Sequence, residues 1–199
     1  GQIITYDASG DPVAVGPGTD GQVLTSTGAG SPPAFEDAAA AGKILQVVQT
    51  EKTDAFTSAS TSYMDITGFS ANITTTGSNK VLIVMSVSTG SNDARYNYYK
   101  LIRGSTHIFK GDQVGTYRPS VTFMESTGLY NSGSIQTKGI TYLDSPGAGT
   151  HTYKLQGAVQ GGTGVLCVNV SARDSDNNDA PNHNDPRTPS SIILMEVAA

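Results

Sequence analysis

The sequence is poor in several residue types on which other protein classes depend. Its 199 residues include no Trp and one Cys, and charged residues make up 15%. The single cysteine, Cys167, excludes an intrachain disulfide and a thiolate metal site built from one chain. The net charge of -5 argues against a protein that binds nucleic-acid phosphates, because such proteins need clustered Lys and Arg. No apolar run approaches the length of a membrane span, so we expect no membrane insertion.

Glycine, tyrosine and hydroxyl residues are abundant instead. The chain holds 23 Gly and 9 Tyr, and Ser and Thr together outnumber all charged residues. Glycine supplies the positive φ angles of tight turns, and tyrosine packs well on half-buried pleated strands. This composition predicts an all-β protein.

The first part of the chain contains a short repeat. Residues 1–5 (GQIIT) return as residues 21–25 (GQVLT), and a Gly-, Pro- and Ser-rich segment follows each copy. Each copy offers one β segment that cannot bury its apolar residues alone and therefore needs neighbours. A flexible linker is the alternative. We expect an extended, repeat-containing shaft with a joint over residues 1–42, assembled around an axis, and the missing initial Met suggests a fragment of a longer protein.

After this shaft the chain reads as strands divided by turn clusters, the pattern of a sandwich or jelly roll. Ten strands are predicted, at residues 44–51, 62–74, 80–89, 95–103, 106–111, 120–127, 135–144, 150–159, 165–172 and 190–197. Alternation predicts a core that contains Val81, Ile83, Met85, Val87, Tyr153, Leu155, Val159, Leu166, Val168 and Val170. We therefore expect a jelly-roll head domain over residues 43–199.

The opposite faces of these strands are less polar than contact with solvent would require. Their apolar residues are Leu82, Val84, Val165, Cys167, Ile193, Met195 and Val197. We expect contacts with other subunits to cover them.

Several segments resemble one family. The repeated GQ(I/V)(I/L)T followed by TGAGSPPAF at 27–35 resembles the shaft repeats of bacteriophage tail fibres and related virion appendages, particularly those of marine phages. The later segments KVLIV, YYKLIRGST, YLDSP, TYKLQ and SIILMEV are similar to the distal modules of these fibres. The resemblance implies a virion-located homotrimer with a slender stalk and a jelly-roll head of the C1q and tumour-necrosis-factor type, used for attachment to a host surface. It also implies partners among other virion tail or appendage proteins on the N-terminal side.

The number of strands predicts where the binding loops lie. With ten antiparallel strands, the C-terminus returns to the end where residue 43 enters, and loops 52–61, 90–94, 112–119, 145–149 and 173–189 lie at the opposite, distal end. The candidate receptor-binding residues on these loops are Asn92, Asp93, Gln113, Tyr117, Arg118, Arg173, Asn177, Asn178, Asn182 and Arg187. Their amide, carboxylate and guanidinium groups suit sugar hydroxyls, and tyrosine suits a sugar ring, so the expected receptor is a glycan, with a protein as the alternative.

The longest loop also carries part of a calcium-binding pattern. Asp174, Asp176, Asn178 and Asp185 occupy the first, third, fifth and twelfth positions of an EF-hand loop. Asp179 stands where that loop needs glycine, however, and no helices flank it. A solvated acidic loop is one interpretation, and a structural Ca²⁺ bound by Asp174, Asp176 and Asp185 is the other.

Signals for catalysis are weak. There is no GxSxG, CxxC or HExxH motif, and Cys167 lies in an apolar strand, where a thiol is usually inert. Asp144 and Glu125 are the one pair considered for glycoside cleavage, which needs two carboxyl groups. We expect no enzyme activity and no cofactor. The hypotheses are a receptor-binding fibre head, a purely structural fibre cap or capsid-surface appendage, and a glycan depolymerase.

Overall fold

The computed structural model describes residues 1–38, 43–92, 96–116, 118–126, 133–161, 164–174 and 185–199. The chain divides into two units, Gly1–Ala41 and Gly42–Ala199. All regular secondary structure in the described ranges is β, so the prediction of an all-β protein is confirmed. Within the same ranges there is no helix long and apolar enough to cross a membrane.

The N-terminal unit consists of two β-hairpins, and each copy of the repeat supplies the first strand of one hairpin. Strands β1 (Ile3–Tyr6) and β2 (Pro12–Val15) form the first, and β3 (Gln22–Thr25) and β4 (Ala34–Asp37) form the second. Phe35 packs so closely on Gly18 that a Cβ there would lie 2.7 Å from its ring. None of residues 1–38 is fully buried, so this unit has no core of its own.

The second unit is a sandwich of two sheets. Its strands are β5 (Ile44–Lys52), β6 (Phe56–Ser58), β7 (Met64–Thr75), β8 (Lys80–Asn92), β9 (Tyr96–Arg103), β10 (Thr106–Ile108), β11 (Phe123–Ser126), β12 (Ile135–Asp144), β13 (Gly149–Val159), β14 (Val165–Val168) and β15 (Ser190–Val197). Sheet I has the order β5-β15-β8-β14-β6, with β12 also on β8. Sheet II has the order β10-β9-β13-β7, with β11 also on β9.

Three strand positions are filled by two segments in line. β15 and β14 pair with successive parts of β8. On their other side, β5 pairs with β15 and β6 pairs with β14. In sheet II, β10 and β11 pair with successive parts of β9. The ten predicted strands therefore correspond to eight positions in chain order. These positions are arranged 1-8-3-6 in sheet I and 2-7-4-5 in sheet II, which is the topology of a double-sheet jelly roll.

The core between the sheets follows the predicted alternation. All ten predicted core residues are buried, and nine of them belong to the main cluster together with Phe69, Tyr99 and Leu194. Val170 is the exception, because it packs with Cys167 and Ala172 in a second cluster. Asn169, with a φ of 65°, ends the alternation just before Val170.

The two ends of the sandwich differ in what they carry. The base holds both chain ends of this unit, since Ala198 N donates to Lys43 O over 2.9 Å. The opposite end, the tip, holds the end of β8 at Asn92. The loop at 145–149 follows Asp144, which pairs with Val81 near the start of β8. The prediction that this loop lies at the distal end is therefore wrong: the in-line segments change the strand parity, and the loop lies at the base.

Candidate functional site

The long loop between β14 and β15 leaves the sheet at Asn169. The Nδ2 group of Asn169 donates to Lys52 O (2.7 Å) and Asp54 O (3.1 Å), and its Oδ1 accepts from Ser190 Oγ at 2.5 Å. Asn169 N also donates to Ser88 O over 2.9 Å. The Asn169 side chain thus replaces hydrogen bonds that a continuous strand would make. Because it pairs with the carbonyl groups of Lys52 and Asp54, the chain can leave β14 and return as β15 without leaving these groups unpaired.

The loop root, residues 169–174 and 185–189, lies on the outer face of sheet I, the face away from the core. A Cβ at Gly90 would lie 2.5 Å from Val170 O, and one at Gly133 would lie 2.8 Å from Arg173 Cζ. Only residues without side chains allow this close approach. The root therefore covers the tip half of this face.

Two ion pairs hold the loop root together. Arg173 binds Asp185 with Nε and Nη2, and the Asp185 carboxylate also accepts from Ser171 Oγ at 3.0 Å. Arg187 donates from Nε (3.1 Å) and Nη2 (2.9 Å) to Asp174 Oδ2. The structure thus brings together four of the predicted site residues, but as two arginine–carboxylate pairs.

These pairs bear on the predicted calcium site. Asp174 and Asp185, two of its three proposed ligands, are engaged by guanidinium groups, and Asp176 lies outside the described residues. The described ranges contain no group of three or more His, Cys, Asp or Glu that could hold a metal.

Of the other predicted binding residues, the structure describes the side chains of Gln113 and Arg118. Gln113 and Arg118 are exposed on an excursion between β10 and β11, where Val114 and Arg118 form a β-bridge. The root of this excursion lies at the edge of sheet II beside the middle of β9, rather than at an end. The side chain of Asn92, and all of Asp93, Tyr117, Asn177, Asn178 and Asn182, lie outside the described residues.

The base half of the outer face of sheet I is apolar. Strand pairing aligns Val47, Met195, Leu82 and Leu143 in one row across β5, β15, β8 and β12. The next row towards the tip contains Ile193 and Val84. Val47 is 58% exposed and Leu143 47%, and the sequence did not indicate either of them, because only the pairing register places them beside Leu82 and Met195.

Two of the residues that we expected to contact other subunits pack instead against residues of their own chain. Cys167 is fully buried by its own chain, where it packs with Val170 and Ala172, and the partly buried Val165 packs against the same cluster. Burial raises the pKa of the Cys167 thiol to about 12. The expectation that another subunit covers Cys167 is therefore wrong, because the loop root already covers it.

A polar group interrupts the core towards the tip. Glu125 pairs with Asn97 across β11 and β9, and Asn97 Nδ2 donates to Ser91 Oγ at 2.9 Å. Glu125 is 6% exposed, and its Oε2 and the Tyr99 hydroxyl have no hydrogen-bond partner in the part of the chain that the structure describes. Burial raises the pKa of the Glu125 carboxyl.

The two carboxyl groups considered for glycoside cleavage lie apart. Asp144 accepts from Arg103 Nη1 (2.6 Å) and from the Tyr153 hydroxyl (2.7 Å) towards the base. Glu125 pairs with Asn97, six residues before Arg103 on β9. Six residues of strand span roughly 20 Å. Glycosidase carboxyl groups are only about 5–9.5 Å apart, so these two do not form such a pair.

Comparison with known proteins gives limited information. No protein-family model matches the chain, and no curated protein does. A structure of the infectious bursal disease virus Gx strain is similar with a TM-score of 0.34 and 12% identity, over 89% of this chain and 43% of that one. The VP2 subviral particle of the same virus gives 0.37 and 11%, over 89% and 42%.

Dimeric latent PorU from Porphyromonas gingivalis is similar with a TM-score of 0.34 and 8% identity, over 85% of this chain and 15% of that one. The chain thus spans less than half the length of these proteins. The assignment of the jelly roll rests on the strand order alone.

Proposed function

We propose that this protein is a bacteriophage virion fibre or appendage protein, and that its homotrimeric head binds a receptor on the host cell during adsorption. A glycan is the proposed receptor, and other virion proteins are the proposed partners on the N-terminal side. The segment resemblances support the phage assignment. The structural observation that supports assembly is that both units expose apolar strand faces that one chain does not cover.

In the N-terminal unit, the exposed residues recur with the repeat. Ile4 is 62% exposed and Leu24 44%, and each is the fourth residue of its copy of the repeat. Two-stranded sheets are marginally stable in water. Packing of three copies around a common axis would bury both positions in successive layers and stabilise the hairpins.

In the sandwich, the apolar row across sheet I offers the second contact. Val47, Met195, Leu82 and Leu143 form a continuous row, and Ile193 and Val84 in the next row extend it. Exposed apolar patches with polar borders are typical of subunit interfaces. This row includes two of the residues expected from the sequence to lie between subunits.

Receptor binding is tested by competition for adsorption. The purified protein should reduce phage adsorption to susceptible cells, and the variants Tyr117→Ala, Arg118→Ala, Asn178→Ala and Arg187→Ala should compete less well. Their melting temperatures should change by no more than about 2 °C, as expected of surface substitutions. Lys80→Ala, at the base, is the matched control and should compete like the wild type. Failure of the wild-type protein to compete would contradict receptor binding.

One observation favours the structural alternative, in which the head caps the fibre and binds no receptor. Arg173 and Arg187 are already paired with carboxylates, so their donors serve the loop root. Unchanged competition by all four alanine variants would support this alternative. Release of reducing sugar from host polysaccharide would instead support a depolymerase.

A further inference from the structure

A groove of about 340 Å³ crosses the outer face of sheet I between the apolar row and the loop root. Its lining residues are polar except for one proline, and they are Gln49, Glu51, Thr53, Ser86, Pro189, Ser190 and Ser191. None of these described lining residues is one to which the sequence assigned binding.

Strand pairing explains why there is a depression at this place. Glu51, Ser191, Ser86 and Gly139 lie in one row across β5, β15, β8 and β12. The two serines in the middle have short side chains, and a Cβ at Gly139 would meet nothing within 4 Å. The row is therefore a trough that is open towards β12 and bordered by Pro189 of the loop root.

The groups in the groove define the chemistry of a ligand. Gln49 Nε2 donates to Glu51 Oε1 over 2.7 Å, which holds the carboxylate in place. Hydroxyl groups of Ser86 and Ser191 can both donate and accept, and the carboxylate can accept. None of the described lining residues is basic, so the groove is unfavourable for phosphate, sulfate or carboxylate groups.

The neighbouring row adds an apolar surface. Ile193 and Val84 lie next to Ser191 and Ser86 on the same face. A sugar ring presents hydroxyl groups at its rim and C–H groups on its faces, so a polar row beside an apolar row matches both parts of it. A purely apolar ligand would match only the apolar row, and an anionic ligand would be opposed by the Glu51 carboxylate.

We propose that this groove binds a neutral saccharide through Glu51, Ser86 and Ser191. This inference rests on the proposed function, because it gives a glycan receptor a site on the outer face of sheet I, in addition to the loop residues that the adsorption test changes. Val47 precedes Glu51 by four residues of strand, a separation of about 13 Å. A second subunit on the apolar row and a sugar in the groove can therefore be present together.

The test uses the full chain and saturation-transfer NMR titrations with glucose, galactose, mannose and N-acetylglucosamine, with glucose 6-phosphate as the anionic counterpart. At least one neutral sugar should bind saturably, and the phosphate should bind about tenfold more weakly than its neutral parent, because like charges oppose each other in the groove. Absence of saturable binding by every neutral sugar would overturn the proposal.

Three variants locate the binding. Glu51→Gln should weaken binding about fivefold through loss of a charged acceptor, and Ser86→Leu, which fills the trough, should abolish it. Glu36→Gln changes an exposed strand carboxylate in the N-terminal unit and should bind like the wild type. Equal binding by all three would overturn the proposal. Adsorption competition by the wild type without any sugar binding would contradict the groove while leaving the fibre function intact.

Discussion

The two units of the chain handle their apolar residues in opposite ways. The sandwich places Phe69, Tyr99, Leu155 and Leu194 in a core that solvent does not reach. The hairpins leave Ile4 and Leu24 largely exposed, although these residues are equally apolar. Apolar composition therefore does not make a unit self-sufficient: the sandwich can fold on its own core, whereas the hairpins need neighbours.

The largest expected effect comes from the core. Leu155→Ala should lower the free energy of unfolding of the sandwich by about 2–5 kcal/mol, because it removes a fully buried side chain and leaves a cavity. Chemical denaturation followed by tyrosine fluorescence measures it. Ile4→Ala is the matched control and should leave the unfolding of the sandwich unchanged. A loss below about 1 kcal/mol at Leu155 would mean that the core is not tightly packed.

The next largest effect concerns Asn169, whose side chain anchors the start of the long loop between β14 and β15. Asn169→Ala removes the donor to Lys52 O and Asp54 O and places Ala at a φ of 65°. We expect a loss of about 2–4 kcal/mol from the orphaned carbonyl groups and the strain together. Asn169→Gly tolerates the φ angle and should recover about 1 kcal/mol of the loss. Equal losses in both variants would show that strain plays no part.

A smaller effect concerns the buried carboxyl group. The pKa of Glu125 is raised from 4.5 by burial, so the folded state retains its proton at pH values where the unfolded state loses it. This group therefore lowers stability as the pH rises from 4.5 through the raised pKa, by roughly 1.4 kcal/mol per unit of difference. Glu125→Gln should remove this component from the pH dependence of unfolding. The exposed Glu51→Gln should not, and identical pH profiles for Glu125→Gln and wild type would refute the assignment.

The smallest effect on the sandwich should come from the hairpins. Ile4→Ser with Leu24→Ser should make residues 1–38 more sensitive to limited proteolysis, because the apolar contacts proposed between copies are lost. The melting temperature of the sandwich should stay within about 2 °C of the wild type. Unfolding of the sandwich together with the hairpins would show that the two units are not independent.

Local patterns in the sequence predicted the core and most strands of the sandwich. They missed β6 (Phe56–Ser58), which lies within residues 52–61, predicted to be a loop. Alternation identified Val81, Ile83 and Met85 because strand periodicity depends only on neighbouring residues. Pairing could not be predicted in the same way. Nothing local shows that β10 and β11 fill one strand position. This shifts the parity of every later strand, and so the loop at 145–149 was expected at the wrong end.

The candidate site was less predictable for the same reason. Arg173 and Asp185 stand 12 residues apart in a polar loop, and only the folded root shows that they form an ion pair. The trough at Ser86 and Ser191 arises from strands far apart in sequence. Tertiary register, rather than composition, creates both features.

The mass of the particle in solution tests the central claim most directly, because that claim is that copies of the chain associate through the exposed apolar faces of both units. Light scattering at micromolar concentration should give three times the chain mass of 20.6 kDa. Val47→Asp with Leu143→Asp, on the apolar row, should reduce the proportion of this species. A wild-type protein that stays monomeric at this concentration would contradict the account.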